Sequence, residues 1–279
     1  MVPAHRGLDM RREINGAAVH FDEHGSGVPL VVLHGAGVDH REVEAALEAI
    51  VPGAGLRRIY PDLPGMGHST ADGLNCNDDV VALLADFIDQ VSGEPVLLLG
   101  HSYGGYLARG LAARRPDLVL GLALVCPAAG QSRDVPAQVV VRQDAGAYEE
   151  LGPGQRAGFN DYFVVRSPAT ARRYRDHVAP GRALADEASL GRIFAGWTLD
   201  VGSSGFPAPT LIVAGRRDCV VGYTDAAELL GRYPHATLAV IEDAGHAVMH
   251  ERPELLGALI GDWLGRARPA SKTRGGSGS

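Results

Sequence analysis

Ser102 lies between glycines in Gly100-His101-Ser102-Tyr103-Gly104-Gly105. The apolar run Pro95-Val96-Leu97-Leu98-Leu99 leads into it, and Leu107-Ala108-Arg109-Gly110-Leu111-Ala112-Ala113 follows with a helical pattern. A serine at a tight strand-to-helix turn is the sequence form of a nucleophile elbow. The turn leaves no room for side chains two residues before and two after the serine, and it strains the serine backbone so that the hydroxyl stands clear of the sheet. In a chain with 37 glycines the bare pattern also arises by chance. Its competing reading is a helix N-terminus with serine near the cap. The strand before it and the helix after it favour the elbow.

A serine hydroxyl is a poor nucleophile at neutral pH, so the chemistry requires a base and an acid. Asp218 follows the apolar run Leu211-Ile212-Val213-Ala214 through Gly215-Arg216-Arg217. His246 follows Leu238-Ala239-Val240-Ile241 through Glu242-Asp243-Ala244-Gly245. Imidazole takes the serine proton and returns it to the leaving group, while the carboxylate fixes its tautomer. The chain order Ser102, Asp218, His246 is the one that accompanies a nucleophile elbow. His34-Gly35-Ala36-Gly37, after Leu30-Val31-Val32-Leu33, supplies backbone N–H groups at the same rim. One oxyanion donor is assigned to Ala36, with Gly37 as the alternative, and the second to Tyr103.

Other residues compete for these roles. His34 is read as fixing its own loop, and His101 as a neighbour of the serine. His250 is the closest competitor of His246, four residues on and expected to face away. Asp243 lies on the loop of His246 itself, and Asp62 sits in Asp62-Leu63-Pro64-Gly65-Met66-Gly67-His68-Ser69, which reads as a structural turn.

These residues need a frame that brings their loops together. Ala17 to Phe21, Leu30 to Leu33, Arg58 to Pro61, Val96 to Leu99, Leu118 to Val125, Thr210 to Ala214 and Thr237 to Ile241 read as strands. Val43 to Ile50, Asn77 to Val91, Asp225 to Tyr233 and Pro253 to Leu264 read as helices, the first stopped by Pro52-Gly53. The strands are continuous apolar runs, as expected when both faces of a parallel sheet are covered. The fold class is α/β, with helices on both faces and ligands outside the carboxyl ends of the strands. Between about Gly130 and Phe206 the alternation breaks, and a mostly helical insertion is expected there.

Within that insertion Phe159, Tyr162, Phe163, Phe194 and Trp197, with Gly35 and Gly37 opposite, are candidates for binding substrate in an apolar pocket. The alternative for the aromatics is a small core of the insertion's own. Its arginines (Arg156, Arg166, Arg172, Arg173, Arg175, Arg182, Arg192) are read as a solvated face.

Composition narrows the partners. A net charge of −7 without a long basic run argues against nucleic acid or an anionic membrane. Cys76, Cys126 and Cys219 are too few and scattered for a disulfide framework or a zinc site, so no metal is expected. Met1 to Asn15 is charged and lacks an apolar core, so no signal peptide is expected and a cytoplasmic protein is the default. The tail, residues 268–279, ends in Arg274-Gly275-Gly276-Ser277-Gly278-Ser279 and reads as a flexible linker. A monomer or homodimer is expected.

The stretches Leu33 to Gly37, Asp62 to Ser69, Gly100 to Gly105, Ala214 to Asp218, and Gly245-His246 with Glu251-Arg252-Pro253-Glu254 together resemble the α/β-hydrolase superfamily. The resemblance implies an eight-stranded core sheet from residues 1–129 and 207–267, and a helical cap from 130–206. Haloalkane dehalogenases and epoxide hydrolases of that superfamily use an aspartate at the elbow, which Ser102 replaces. Carbon–carbon bond hydrolases of meta-cleavage pathways tend to carry Asn before the serine, Met after it, Pro in the oxyanion loop and Trp after the histidine. Here those positions hold His101, Tyr103, Val38 and Ala247. The Gly-Gly-Ser-Trp-Gly elbow of proline iminopeptidases is absent. The expectation is therefore a serine esterase or lactonase acting on a small-molecule ester, without metal or organic cofactor. A roomy cap would also fit a bulky natural-product ester such as a macrolide antibiotic. The alternatives are vinylogous diketone carbon–carbon hydrolysis and a non-hydrolytic ligand-binding member of the fold.

Overall fold

The computed structural model describes residues 10–51, 53, 55–129, 135–201 and 205–268. Pro52, Ala54, the borders of the insertion at 130–134 and 202–204, the first nine residues and the expected linker beyond Arg268 lie outside the described residues.

In chain order the strands are β1 (Met10–Ile14), β2 (Ala17–Gly25), β3 (Val28–Leu33), β4 (Leu56–Pro61), β5 (Val96–His101), β6 (Val119–Val125), the two-residue β7 (Arg142–Gln143) and β8 (Val165–Arg166), then β9 (Thr210–Gly215) and β10 (Ala236–Ile241). Eight of them form one sheet in the order β1-β2-β4-β3-β5-β6-β9-β10. Strand β2 runs against both neighbours, and every other pairing in that sheet is parallel. The helices are α1 (His40–Ile50), α2 (Asn77–Ser92), α3 (Tyr103–Arg114), α4 (Arg156–Tyr162), α5 (Pro168–Arg173), α6 (Ala179–Arg182), α7 (Glu187–Phe194), α8 (Thr224–Glu228), α9 (Val248–Glu251) and α10 (Pro253–Ala267).

The continuous apolar strands divide between two cores. Val31 and Leu33 of β3 point to the face covered by α2 and α3. Leu30 and Val32 point to the opposite face, against Val43 and Leu47 of α1 and Ile260 and Trp263 of α10. A strand buried on both sides cannot afford polar alternation, which is why these runs were unbroken in the sequence.

Two expectations shift. Residues 10–14 form a strand, hidden in the sequence because Arg11, Arg12 and Glu13 are exposed on a sheet edge. The helix expected over Asp225–Tyr233 is the short α8 followed by a 3₁₀ turn at Leu229–Arg232.

Residues 135–201 contribute α4 to α7 and the small β7–β8 pair, and no strand of the main sheet. Phe159, Phe163, Ala171, Tyr174 and Val178 pack together against Val38 and Ala247, one on each of two rim loops. Arg192 donates to the carbonyls of Leu74 and Ala71, and Arg173 to that of Ala45. Those arginines fasten the insertion to the sheet layer rather than facing solvent alone. Glu251 adds a buried clasp: Oε1 accepts from the N–H groups of Val164 and Val165, and Oε2 from Gly245.

The β5–α3 turn is the tightest point of the frame. A Cβ on Gly104 would stand 2.4 Å from the Leu33 carbonyl oxygen. Gly104→Ala should therefore cost at least about 1–3 kcal/mol in urea unfolding. Gly261→Ala in α10, where a Cβ meets nothing within 4 Å, should be neutral or stabilising.

Candidate active site

Ser102 has φ +53° and ψ −117°, a conformation that an L residue occupies only when its surroundings force it. The surroundings are visible. Its N–H donates to the Val125 carbonyl at 3.0 Å, and its carbonyl accepts from Tyr106 and Ala128 at 3.1 and 2.9 Å. A Cβ on Gly100 would meet the Gly104 carbonyl oxygen at 2.3 Å. The glycines on either side are thus dictated by closeness of backbone to backbone.

Asp218 and His246 come together from the loops after β9 and β10. His246 Nδ1 lies 2.8 Å from Asp218 Oδ2, and the acid is fully buried. The other carboxylate oxygen accepts from the N–H groups of Val220 and Val221 at 2.9 and 3.0 Å. The two loops are laced by Arg216 N–H to Ile241 and Arg217 N–H to Ala244. Burial pushes the Asp218 carboxyl up, but the imidazole and the two N–H groups hold it below the usual carboxylate range. Burial pushes the His246 imidazole down, and Asp218 more than reverses it, so its pKa is raised. With Nδ1–H given to Asp218, the neutral ring presents the Nε2 lone pair.

His34 sets the neighbouring loop. Its Nδ1–H donates to the Gly35 carbonyl, its Nε2 accepts from the Leu63 N–H, and burial holds it neutral below the ordinary value. Gly104 N–H donates to the His34 carbonyl, joining this loop to the elbow. Gly37 has its N–H on Met66 Sδ at 3.2 Å. The N–H groups of Ala36 and Tyr103 meet no acceptor among the described residues. Of the two alternatives left by the sequence, Ala36 therefore keeps the free donor.

Ser102, His246, Gly35, Ala36 and Gly37 line one cavity of about 300 Å³. The expected aromatic lining is corrected: of the five rings, Tyr162 alone lies among the cavity residues. Phe159 and Phe163 are fully buried in the insertion's own cluster. Phe194 and Trp197 pack on Tyr103, and Trp197 also stacks on Tyr106. The insertion's own core thus took two of the five, and packing of the insertion on α3 took two more.

The other competitors separate cleanly. Asp243 is exposed, and Asp62 is buried in a turn where it accepts from the N–H groups of His40 and His68. His250 is buried without a hydrogen-bond partner for either ring nitrogen, and burial pushes its pKa down to about 3.

The sequence reading missed the polar side of the cavity, formed by Glu42, Asp161 and Arg182. Glu42 is fully buried; it accepts from the Tyr162 hydroxyl and lies 3.4 Å from His101 Nδ1. His101 Nε2 donates in turn to the His246 carbonyl at 3.1 Å. Burial pushes the Glu42 carboxyl up, and the adjoining imidazole outweighs it, keeping the group an anion. A signal existed: Glu42 is four residues before the buried Ala46, on the inward face of α1.

Comparison with known proteins follows the same outline. The model of the alpha/beta hydrolase family matches residues 30–259. A 2-hydroxymuconate semialdehyde hydrolase of Pseudomonas sp. is 27% identical, the match covering 94% of this chain and 96% of that protein. A pimeloyl-(acyl-carrier protein) methyl ester esterase of Aromatoleum aromaticum is 31% identical over 84% of this chain and 96% of its own. The solved structure of an alpha/beta superfamily hydrolase from Oenococcus oeni superposes with a TM-score of 0.84 at 24% identity, covering 92% of this chain and 99% of that one.

An NMR titration of the imidazoles checks the electrostatics directly. His246 should titrate above the ordinary value of 6.5 in the parent. In Asp218→Asn, with burial left unopposed, it should titrate below that value.

Proposed function

The chain belongs to the alpha/beta hydrolase family, and from that premise we propose that it is a serine hydrolase of carboxylic esters working through Ser102, His246 and Asp218. The observation that carries this reading is the 2.8 Å contact of His246 with buried Asp218 at a cavity that also holds the strained Ser102.

In the proposed mechanism the ester carbonyl carbon lies over Ser102 Oγ. His246 Nε2 removes the hydroxyl proton as the Oγ–C bond forms, and Asp218 stabilises the resulting imidazolium. The carbonyl oxygen becomes an oxyanion between the N–H groups of Ala36 and Tyr103. As the tetrahedral intermediate collapses, the C–O bond to the alcohol breaks, and His246 gives its proton to the departing alkoxide. Water then enters, loses a proton to His246 and attacks the acyl-enzyme. The acid leaves and the proton returns to Ser102. Every proton and electron pair is handled by these groups, so the reaction calls on no cofactor.

Residues 135–201 act in this reading as a cap. Tyr162 places its ring edge-on to His246 at 6.3 Å and ties the segment to α1 through Glu42. The cavity as it stands suits a small acyl or alcohol group with polar substituents, given Glu42, Asp161 and Arg182 on its wall. A bulky natural-product ester such as a macrolide would seat its carbonyl here with the remainder beyond the exposed Asp161 and Arg182.

A second reading has support in the 27% identical relative, a 2-hydroxymuconate semialdehyde hydrolase. Carbon–carbon cleavage would use the same site on a vinylogous diketone. His101, Tyr103, Val38 and Ala247 are the four positions that favour the ester.

Ser102→Ala should reduce p-nitrophenyl ester turnover at least about 10³-fold while the unfolding midpoint stays close to the parent's. Comparable turnover by the variant would defeat the assignment. Fluorophosphonate labelling at Ser102 separates an activated nucleophile from a pure ligand-binding protein. Product analysis on a vinylogous diketone separates the two hydrolytic readings.

A further inference from the structure

Strand β2 carries His20, Asp22 and His24 at alternate positions, which places all three on one face. Helix α1 carries His40 and Glu44 one turn apart, on its side toward that face. Nothing in the proposed hydrolysis uses these residues.

Their ligand atoms converge. His40 Nε2 lies 3.7 Å from Asp22 Oδ2 and 3.9 Å from Glu44 Oε2. His24 Nε2 lies 2.6 Å from Glu44 Oε1. The ligand atoms of Asp22, His24 and Glu44 all fall within 4.8 Å of one another.

The orientation of His40 is fixed from behind. Its Nδ1–H donates to Asp62 Oδ1 at 2.7 Å. Asp62 is itself immobilised by His20 Nδ1 and by the N–H groups of His40 and His68. The Nε2 of His40 thereby faces the carboxylates of Asp22 and Glu44, a place that either a proton or a metal ion can fill. At 3.7 and 3.9 Å these groups stand further apart than a good hydrogen bond, which leaves room for an ion between them. Two ligands bound about 2.0–2.1 Å from one tetrahedral ion stand roughly 3.4 Å apart, between the 2.6 Å of His24 to Glu44 and the 3.7 and 3.9 Å of His40 to Asp22 and Glu44. A histidine held at Nδ1 by a carboxylate, with Nε2 free, is the usual outer support of a metal ligand.

Arg58 on β4 is held by Glu48, and Tyr60 lies edge-on to the His24 ring. Among the described residues neither Asp22 nor Glu44 has an arginine or lysine partner. The carboxylate side chains are 19% and 21% exposed, so an ion has an entrance, while the two imidazoles are 8% exposed.

We propose that Asp22, His24, His40 and Glu44 form a structural site for a borderline transition-metal dication, Zn²⁺ foremost, bridging β2 to α1. Two imidazoles and two carboxylates match zinc, whereas calcium and magnesium take oxygen alone. The ion would take the place of the proton shared by His24 and Glu44. It would brace the start of α1, which follows directly on the loop of Ala36 and Gly37.

The test titrates ZnCl₂ into the metal-stripped full chain, free of any polyhistidine tag, by calorimetry, with thermal unfolding in parallel. One equivalent should bind with Kd on the order of 10 µM or tighter and raise Tm. Glu44→Gln and His24→Gln, each shown to be folded without metal by its circular dichroism, should weaken binding at least about tenfold. Two other groups could hold an ion: Asp218→Asn controls for Cys126, Asp218 and His246 and should bind as the parent does, and the Glu44 and His24 variants leave His20, His40 and Asp62 intact. Failure of the parent to bind overturns the proposal. So does undiminished binding by the Glu44 and His24 variants, or loss of binding in Asp218→Asn alone.

Discussion

The hydrogen bond between His246 and Asp218 is the contact on which the site depends. A buried carboxylate without an arginine or lysine is tolerable only if its oxygens are fully used. Here one takes the imidazole and the other takes two backbone N–H groups. That demand fixes the loop after β9 against the loop after β10, and with them the tautomer of the ring. Glu251 then fastens Gly245 and the insertion to the same place, and His101 holds the His246 carbonyl from the opposite side. The imidazole is caught between an acid that orients it and a scaffold that keeps its backbone from drifting.

The elbow obeys a different constraint, which is volume. Gly100 and Gly104 lie against backbone that no side chain could share. Only glycine at both positions lets β5 turn into α3 beside β3, and the strained φ of Ser102 follows from that crossing. The same crossing brings the Tyr103 N–H to the rim where Ala36 is free.

What the sequence disclosed and what it hid divide along physical lines. Parallel strands covered on both faces must be continuously apolar, so β3, β5, β6 and β9 were legible. The loops after them followed from the same rule: His246 meets Asp218, and Ser102 lines the same cavity as His246. Strand β1 was hidden because an exposed edge tolerates charge. Phe159, Phe163, Phe194 and Trp197 were misplaced because aromatic composition reports burial without saying which core does the burying. Glu42, Asp161 and Arg182 escaped notice because the polar wall is assembled from α1 and the insertion, far apart in the chain. The facing residues of β2 and α1 escaped for the same reason: each spacing was regular, but only the fold lays one against the other.

Chemistry at Ser102 is the central claim, and a covalent acyl intermediate is its most direct consequence. The decisive measurement is mass spectrometry of protein acid-quenched during turnover of a p-nitrophenyl ester. The account predicts one acyl group, found on the peptide that carries Ser102, in the parent and not in Ser102→Ala. Turnover with the acyl group on another residue, or an adduct that persists in Ser102→Ala, would contradict it.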